Sequence, residues 1–194
     1  MKMIDISDYQ GIIDWQKVSA TPDLTGVILR STRKNGQIDN RFKENYDGIR
    51  RNMNDHFNRL DFYKFTYARN YIDARIEAFK TIKAIYSNTQ ELDFLLWLDL
   101  EDFDGRPHTK RECDEVITAY LDAAKIYGVK IGLYFDRNYA LNFISHEWAY
   151  LPTWIARYNS TLGDVTPFKP ELWQYTSSGH IDGIKGNVDI NEVL

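Results

Sequence analysis

The sequence predicts an α/β fold: a flattened, TIM-like (β/α)5(β)3 barrel in a single domain. Three observations carry that reading. Eight short strand-like runs follow one another along 194 residues, and helical patterns separate the earlier ones. The last three runs are divided by stretches whose glycines and prolines do not suit packed helices. A full eightfold barrel usually takes about 250 residues, so the length favours a shortened one.

The runs lie around residues 3–6, 26–31, 60–65, 94–99, 130–135, 152–156, 171–175 and 187–190. After the second, Phe42, Tyr46, Ile49 and Met53 recur at helical spacing; after the third, Ile72, Ile76, Phe79 and Ile82 do the same. Each set is expected to face the core. Thr109-x-x-Glu112 reads as a capping box for a helix carrying Val116, Tyr120 and Ala124, with Gly128 as its stop. A further helix is expected around residues 138–148, and Asp14 is placed to cap a short one at 14–18. Gly163, Pro167 and Pro170 then break the sixth interval, and Gly179, Gly183 and Gly186 mark a hairpin or loop in the seventh. With no repeat or linker, residues 1–194 read as one domain.

Composition excludes several classes. A net charge of −4, with basic residues dispersed apart from pairs such as Arg33-Lys34 and Arg50-Arg51, does not make a nucleic-acid surface. No apolar run reaches the 18 residues of a membrane span. Cys113 is the single cysteine, so neither an intrachain disulfide nor a thiolate metal cluster can form, and its apolar helical surroundings mark it as packing. Four scattered histidines, without H-x-H or HExxH spacing, give no zinc site. No cofactor, metal or protein partner is implied, and no leader-like stretch precedes the first run.

The chemistry concentrates in "LLWLDLEDFDG", residues 95–105. On a strand, Asp99 and Glu101 point the same way, about 6.5–7 Å apart along the backbone. Catalytic groups of such barrels gather at the carboxyl ends of strands. Asp5 ends the first run, and Asp189 lies in the eighth, its neighbour on closure. Four carboxylates are therefore expected at one mouth. Crowding raises the pKa of one of them, as a general acid for glycosidic cleavage requires. Tyr63, Tyr67, Tyr134, Trp154, Tyr158 and Trp173 sit at or near strand ends, where aromatic rings make sugar-binding faces. Two rival readings use the same residues: Asp5, Asp99, Glu101 and Asp189 as oxygen ligands of Mg²⁺ or Ca²⁺ in a metal-dependent hydrolase, or a sugar-binding barrel without turnover.

Together the segments resemble the glycoside hydrolase family 25 muramidases, the Chalaropsis-type lysozymes. "IDISDYQGIIDW" is similar to the family's opening strand and loop, "FYKFTYA" to its third strand, "WLDLED" to its fourth and "PTWIARYN" to its sixth. "LWQYTSSGHIDGIKGNVDIN" resembles its closing hairpin over some twenty positions. The resemblance implies metal-independent hydrolysis of the β-1,4 bond between N-acetylmuramic acid and N-acetylglucosamine in bacterial peptidoglycan. It implies Glu101 as proton donor, Asp99 as the group that positions or polarises, and Asp5 and Asp189 as the rest of an acidic floor. Tyr63, Tyr67, Tyr134, Trp154, Tyr158 and Gln174 are the implied substrate-binding residues. The implied site of action is the cell wall, reached by secretion or by host lysis. Three places depart from the family pattern: Arg30-Ser31-Thr32-Arg33-Lys34 adds positive charge, Lys64 replaces a histidine, and Phe135-Asp136-Arg137 replaces small hydroxyl residues.

Overall fold

The computed structural model describes residues 1–194. All eight expected strands form: β1 (Lys2–Ile6), β2 (Leu24–Arg30), β3 (Arg59–Phe65), β4 (Leu95–Asp99), β5 (Lys130–Asp136), β6 (Thr153–Ala156), β7 (Leu172–Gly179) and β8 (Val188–Val193). They close into a barrel in chain order. Pairing is parallel from β1 through β7, whereas β8 runs antiparallel to both β7 and β1. A β7–β8 hairpin with an eight-residue connection, 180–187, therefore replaces the helical crossover that a parallel strand would need.

Five helices accompany the strands: α1 (Trp15–Ser19), α2 (Phe42–Asn52), α3 (Tyr71–Asn88), α4 (Lys110–Tyr127) and α5 (Arg137–Asn142). Asp14 caps α1 through the Lys17 amide, and Thr109 and Glu112 form the expected capping box on α4, which ends at Gly128 in the left-handed region. Phe42, Tyr46 and Ile49 are buried on α2 as expected. Two expectations need correction. Ile72 and Ile76 face solvent, at 69% and 48% exposure; the buried face of α3 is Ala74, Ala78, Thr81, Ile82 and Ile85. Small residues let α3 pack closely on α4, so the larger apolar side chains are a misleading guide to the buried stripe. The helix expected at 138–148 is also broken: α5 ends at Asn142, and a separate 3-10 turn covers His146–Tyr150.

Strand alternation divides the interior in two. Ile4, Ile6, Leu29, Phe62, Leu96 and Leu98 point outward to meet the helices in the larger core. Met3, Ile28, Trp97, Tyr134, Trp154 and Leu172 fill the lumen. Trp97 fits because its β5 neighbour is Gly132, where an added Cβ would lie 2.5 Å from the indole ring. Below it, Trp97 Nε1 donates to Asp61 Oδ2, itself paired with Arg59. Cys113 is wholly buried in the outer core, and burial pushes its thiol up to about 12.

Candidate active site

Above the tryptophan floor, the inward positions turn polar. Continuing each alternation toward the carboxyl ends of the parallel strands gives Asp5 after Met3, Arg30 after Ile28, and Phe65 after Tyr63. On β4 the same step from Trp97 gives Asp99 and then Glu101. Asp189 lies directly across from Asp5 in the antiparallel β1–β8 register. These residues line one cavity of about 430 Å³ with Tyr67, Tyr134, Trp154, Tyr158 and Gln174. All four acids and all six substrate-binding candidates read from the sequence thus meet in one cleft.

The acids occupy different environments. Asp5 is buried and accepts from Gln174 Nε2 at 3.0 Å and Asn191 Nδ2 at 2.9 Å. Burial nevertheless raises its pKa well above the usual carboxylate range, helped by the Asp189 charge. Asp189, directly across the β1–β8 register, is raised as well, by burial first. Asp99 is also buried, and no protein group donates to its Oδ1. Its pKa rises strongly through burial first, then through the Glu101 and Asp5 charges, against opposing pulls from Lys64 and Arg30. Glu101 is raised by burial too, with a Tyr134 hydrogen bond opposing and the Asp136 charge reinforcing. The cleft is built to retain protons.

Gln174 ties the walls together. Its Oε1 accepts from the hydroxyls of Tyr134 at 2.9 Å and Tyr158 at 2.8 Å, while its amide donates to Asp5. Tyr134 has a single proton and two acceptors in reach, Gln174 and Glu101.

The aromatic candidates divide by role. Trp154 is only 1% exposed and spends its indole N–H on Asn191 Oδ1 at 2.7 Å, so it is floor rather than an open platform. Tyr134 is likewise buried, whereas Tyr158 is 58% exposed at the rim. Trp173, expected at the mouth, does not line the cleft; its N–H bonds the Arg157 carbonyl. Sequence reading missed Tyr9, Arg30, Phe65 and Ser177 as lining residues. Period-two alternation past Ile28 and Tyr63 would have found Arg30 and Phe65. Asp5 caps no helix, since Asp14 performs that task. No group of three or more His, Cys, Asp or Glu side chains has the spacing of a metal site, and no helix is long and apolar enough to cross a membrane.

The chain is thus a closed β/α barrel with four carboxylates in one cleft at its strand ends. The model of the glycosyl hydrolases family 25 matches residues 4–184, and the chain belongs to that family of glycoside hydrolases. It is similar to the uncharacterized protein YegX of Escherichia coli strain K12, at 26% identity over 197 residues, covering 97% of this chain and 67% of the relative. The autolytic lysozyme of Clostridium acetobutylicum is 24% identical over 198 residues, covering 99% and 55%. Among solved structures, the modular autolysin LytC of Streptococcus pneumoniae superposes with a TM-score of 0.86 at 28% identity, covering 98% of this chain and 46% of LytC. A family 25 glycosyl hydrolase from Bacillus anthracis shares the fold, with a TM-score of 0.78 at 20% identity, covering 100% and 88%. The chain spans about half the length of the two named lytic proteins.

Proposed function

We propose that the chain is a lysozyme of the N-acetylmuramidase type, cleaving the β-1,4 bond between N-acetylmuramic acid and N-acetylglucosamine in bacterial peptidoglycan. The observation that carries this reading is the convergence of Asp5, Asp99, Glu101 and Asp189 on one cleft that raises their pKa values. The names of its relatives add support: one is an autolytic lysozyme, and the pneumococcal autolysin has also been solved with a synthetic peptidoglycan ligand. Residues 1–194 then form one catalytic domain, acting at the cell wall after secretion or host lysis.

In this mechanism Glu101 is the proton donor. It is less buried than Asp99 and stands at the rim, where a glycosidic oxygen can reach it. As the bond breaks, the proton passes to the departing sugar's oxygen, and positive charge develops on the other sugar ring. Asp99 offers its unpartnered Oδ1 to polarise or position the reacting group, while the Asp5–Asp189 pair completes the acidic floor. Water supplies a hydroxyl to the anomeric carbon and a proton that restores Glu101. Tyr63, Tyr67, Tyr134, Trp154, Tyr158 and Gln174 form the substrate-facing walls and floor.

The test is clearing of purified bacterial walls by the protein and its Glu101→Gln variant. Loss of a general acid lowers the rate by about 10²–10⁴, with the fold retained. Undiminished clearing by the variant removes Glu101 from the mechanism. Binding of walls by the unaltered protein, without new reducing ends, would instead mark a sugar-binding barrel.

A further inference from the structure

A second cavity, of about 320 Å³, continues the cleft beyond Glu101 and shares Glu101, Tyr134 and Tyr158 with it. Its character is different. The first cavity sets four carboxylates against one arginine, whereas the second balances Glu101 and Asp136 with Arg137 and Arg157. Neither guanidinium has a carboxylate within 4.0 Å.

Both arginines are held by backbone instead. Arg137 Nε donates to the Asp164 carbonyl at 3.1 Å, and Arg157 Nη1 to the Leu162 carbonyl at 2.7 Å. Gly163 lies between these two acceptors in the left-handed region; a Cβ there would sit 2.2 Å from Arg157 Nη1 and 3.5 Å from Arg137 Nε. The loop therefore grips both side chains at once and leaves most of their N–H groups free. Of the nearby acids, Asp136 lines the cavity and accepts from the Tyr139 amide as the α5 cap, and Asp164 accepts from Thr166. Guanidinium groups with free N–H donors and no carboxylate partner are the groups that bind carboxylates by charge-assisted hydrogen bonds.

We propose that the cavity beyond Glu101 is a subsite for a carboxylate carried by the peptide stem of the glycan, read by Arg137 and Arg157. This rests on the muramidase reading for the identity of the glycan, but the binding site itself is testable without turnover. The Glu101→Gln protein is titrated calorimetrically with soluble peptidoglycan strands bearing tetrapeptide stems, and with the same strands after their carboxylates are converted to amides. The carboxylate form is expected to bind at least about tenfold more tightly, the effect of one charge-assisted hydrogen bond or more. Added Arg137→Gln or Arg157→Gln should bring that ratio towards one. Equal affinity for the two strands overturns the subsite, and needs no arginine variant to be decisive; so does a ratio that survives both substitutions. If the ratio holds but unaltered protein cleaves neither strand, the muramidase reading fails and the subsite stands. Cleavage without discrimination overturns the subsite and leaves the muramidase reading standing.

Discussion

Asp5 and Asp189 face each other where β8 closes the barrel against β1, and burial raises the pKa of both. The two acids are nearly the full chain apart in sequence. The same antiparallel strand that seals the sheet therefore also completes the acidic floor, so closure and site assembly are one event.

The raised carboxyl groups carry a pH signature in stability. Asp5, Asp99, Glu101 and Asp189 all have folded pKa values above their ordinary ones. These four groups thus hold more protons in the native state than in the unfolded chain above about pH 4, and the stability they contribute falls as pH rises through the raised values. Asp99→Asn removes one such group while keeping its shape. Its Tm should exceed that of the parent at pH 7 by about 2–4 °C, the shift given by about 1 kcal/mol in a chain of this size. Below about pH 4 the difference should close, because both side chains are then neutral. Thermal unfolding followed by circular dichroism at the two pH values checks this; a Tm difference that is the same at both contradicts it.

Gln174→Leu should separate the walls of the cleft. It removes the acceptor of Tyr134 and Tyr158 and the donor to Asp5. Stability should fall by about 1–3 kcal/mol as buried polar groups lose partners. Wall clearing should fall by about tenfold or more even where the variant is fully folded. Denaturant titration and turbidity assays on the same preparation report the two effects, and unchanged clearing would show that the tyrosine hydroxyls need no such anchor.

Lys64 is wholly buried beside Glu77, with Nζ 3.5 Å from its carboxylate. Glu77 also accepts from Thr66, Tyr67 and Tyr120. Glu77→Ala strands the ammonium and should cost about 3–5 kcal/mol. Adding Lys64→Met should recover part of that loss. Urea unfolding of the single and double variants measures it; a double variant no more stable than Glu77→Ala would mean the stranded charge is not the cause.

Gly132→Ala tests the packed floor. The new methyl group would press on Trp97 from 2.5 Å, and overpacking of this kind costs about 1–3 kcal/mol. A variant as stable as the parent would show that the indole can shift without loss.

Much of the site is legible in the chain because strand alternation is strict. Once "LLWLDLED" is read as a strand with Trp97 inward, Asp99 and Glu101 must follow it into the mouth, and Asp5 follows Met3 in the same way. The β7–β8 hairpin is legible from its glycines. Two kinds of feature are hidden. The buried face of α3 uses Ala74 and Ala78, whose small side chains give a weak periodic signal beside Ile72 and Ile76. The exposures of Trp154 and Trp173 depend on which strand face each occupies and on partners distant in sequence, Asn191 and the Arg157 carbonyl. The arginine cavity is hidden for the same reason, since Arg137, Arg157 and Gly163 meet only when β5, β6 and the following loop are assembled.

Mass spectrometry of purified peptidoglycan digested with the protein tests the central claim most directly. A muramidase leaves new reducing ends that are N-acetylmuramic acid, with the masses of intact disaccharide-peptides, and this is the expected result. N-acetylglucosamine at those ends, or cleavage confined to the peptides, would contradict it.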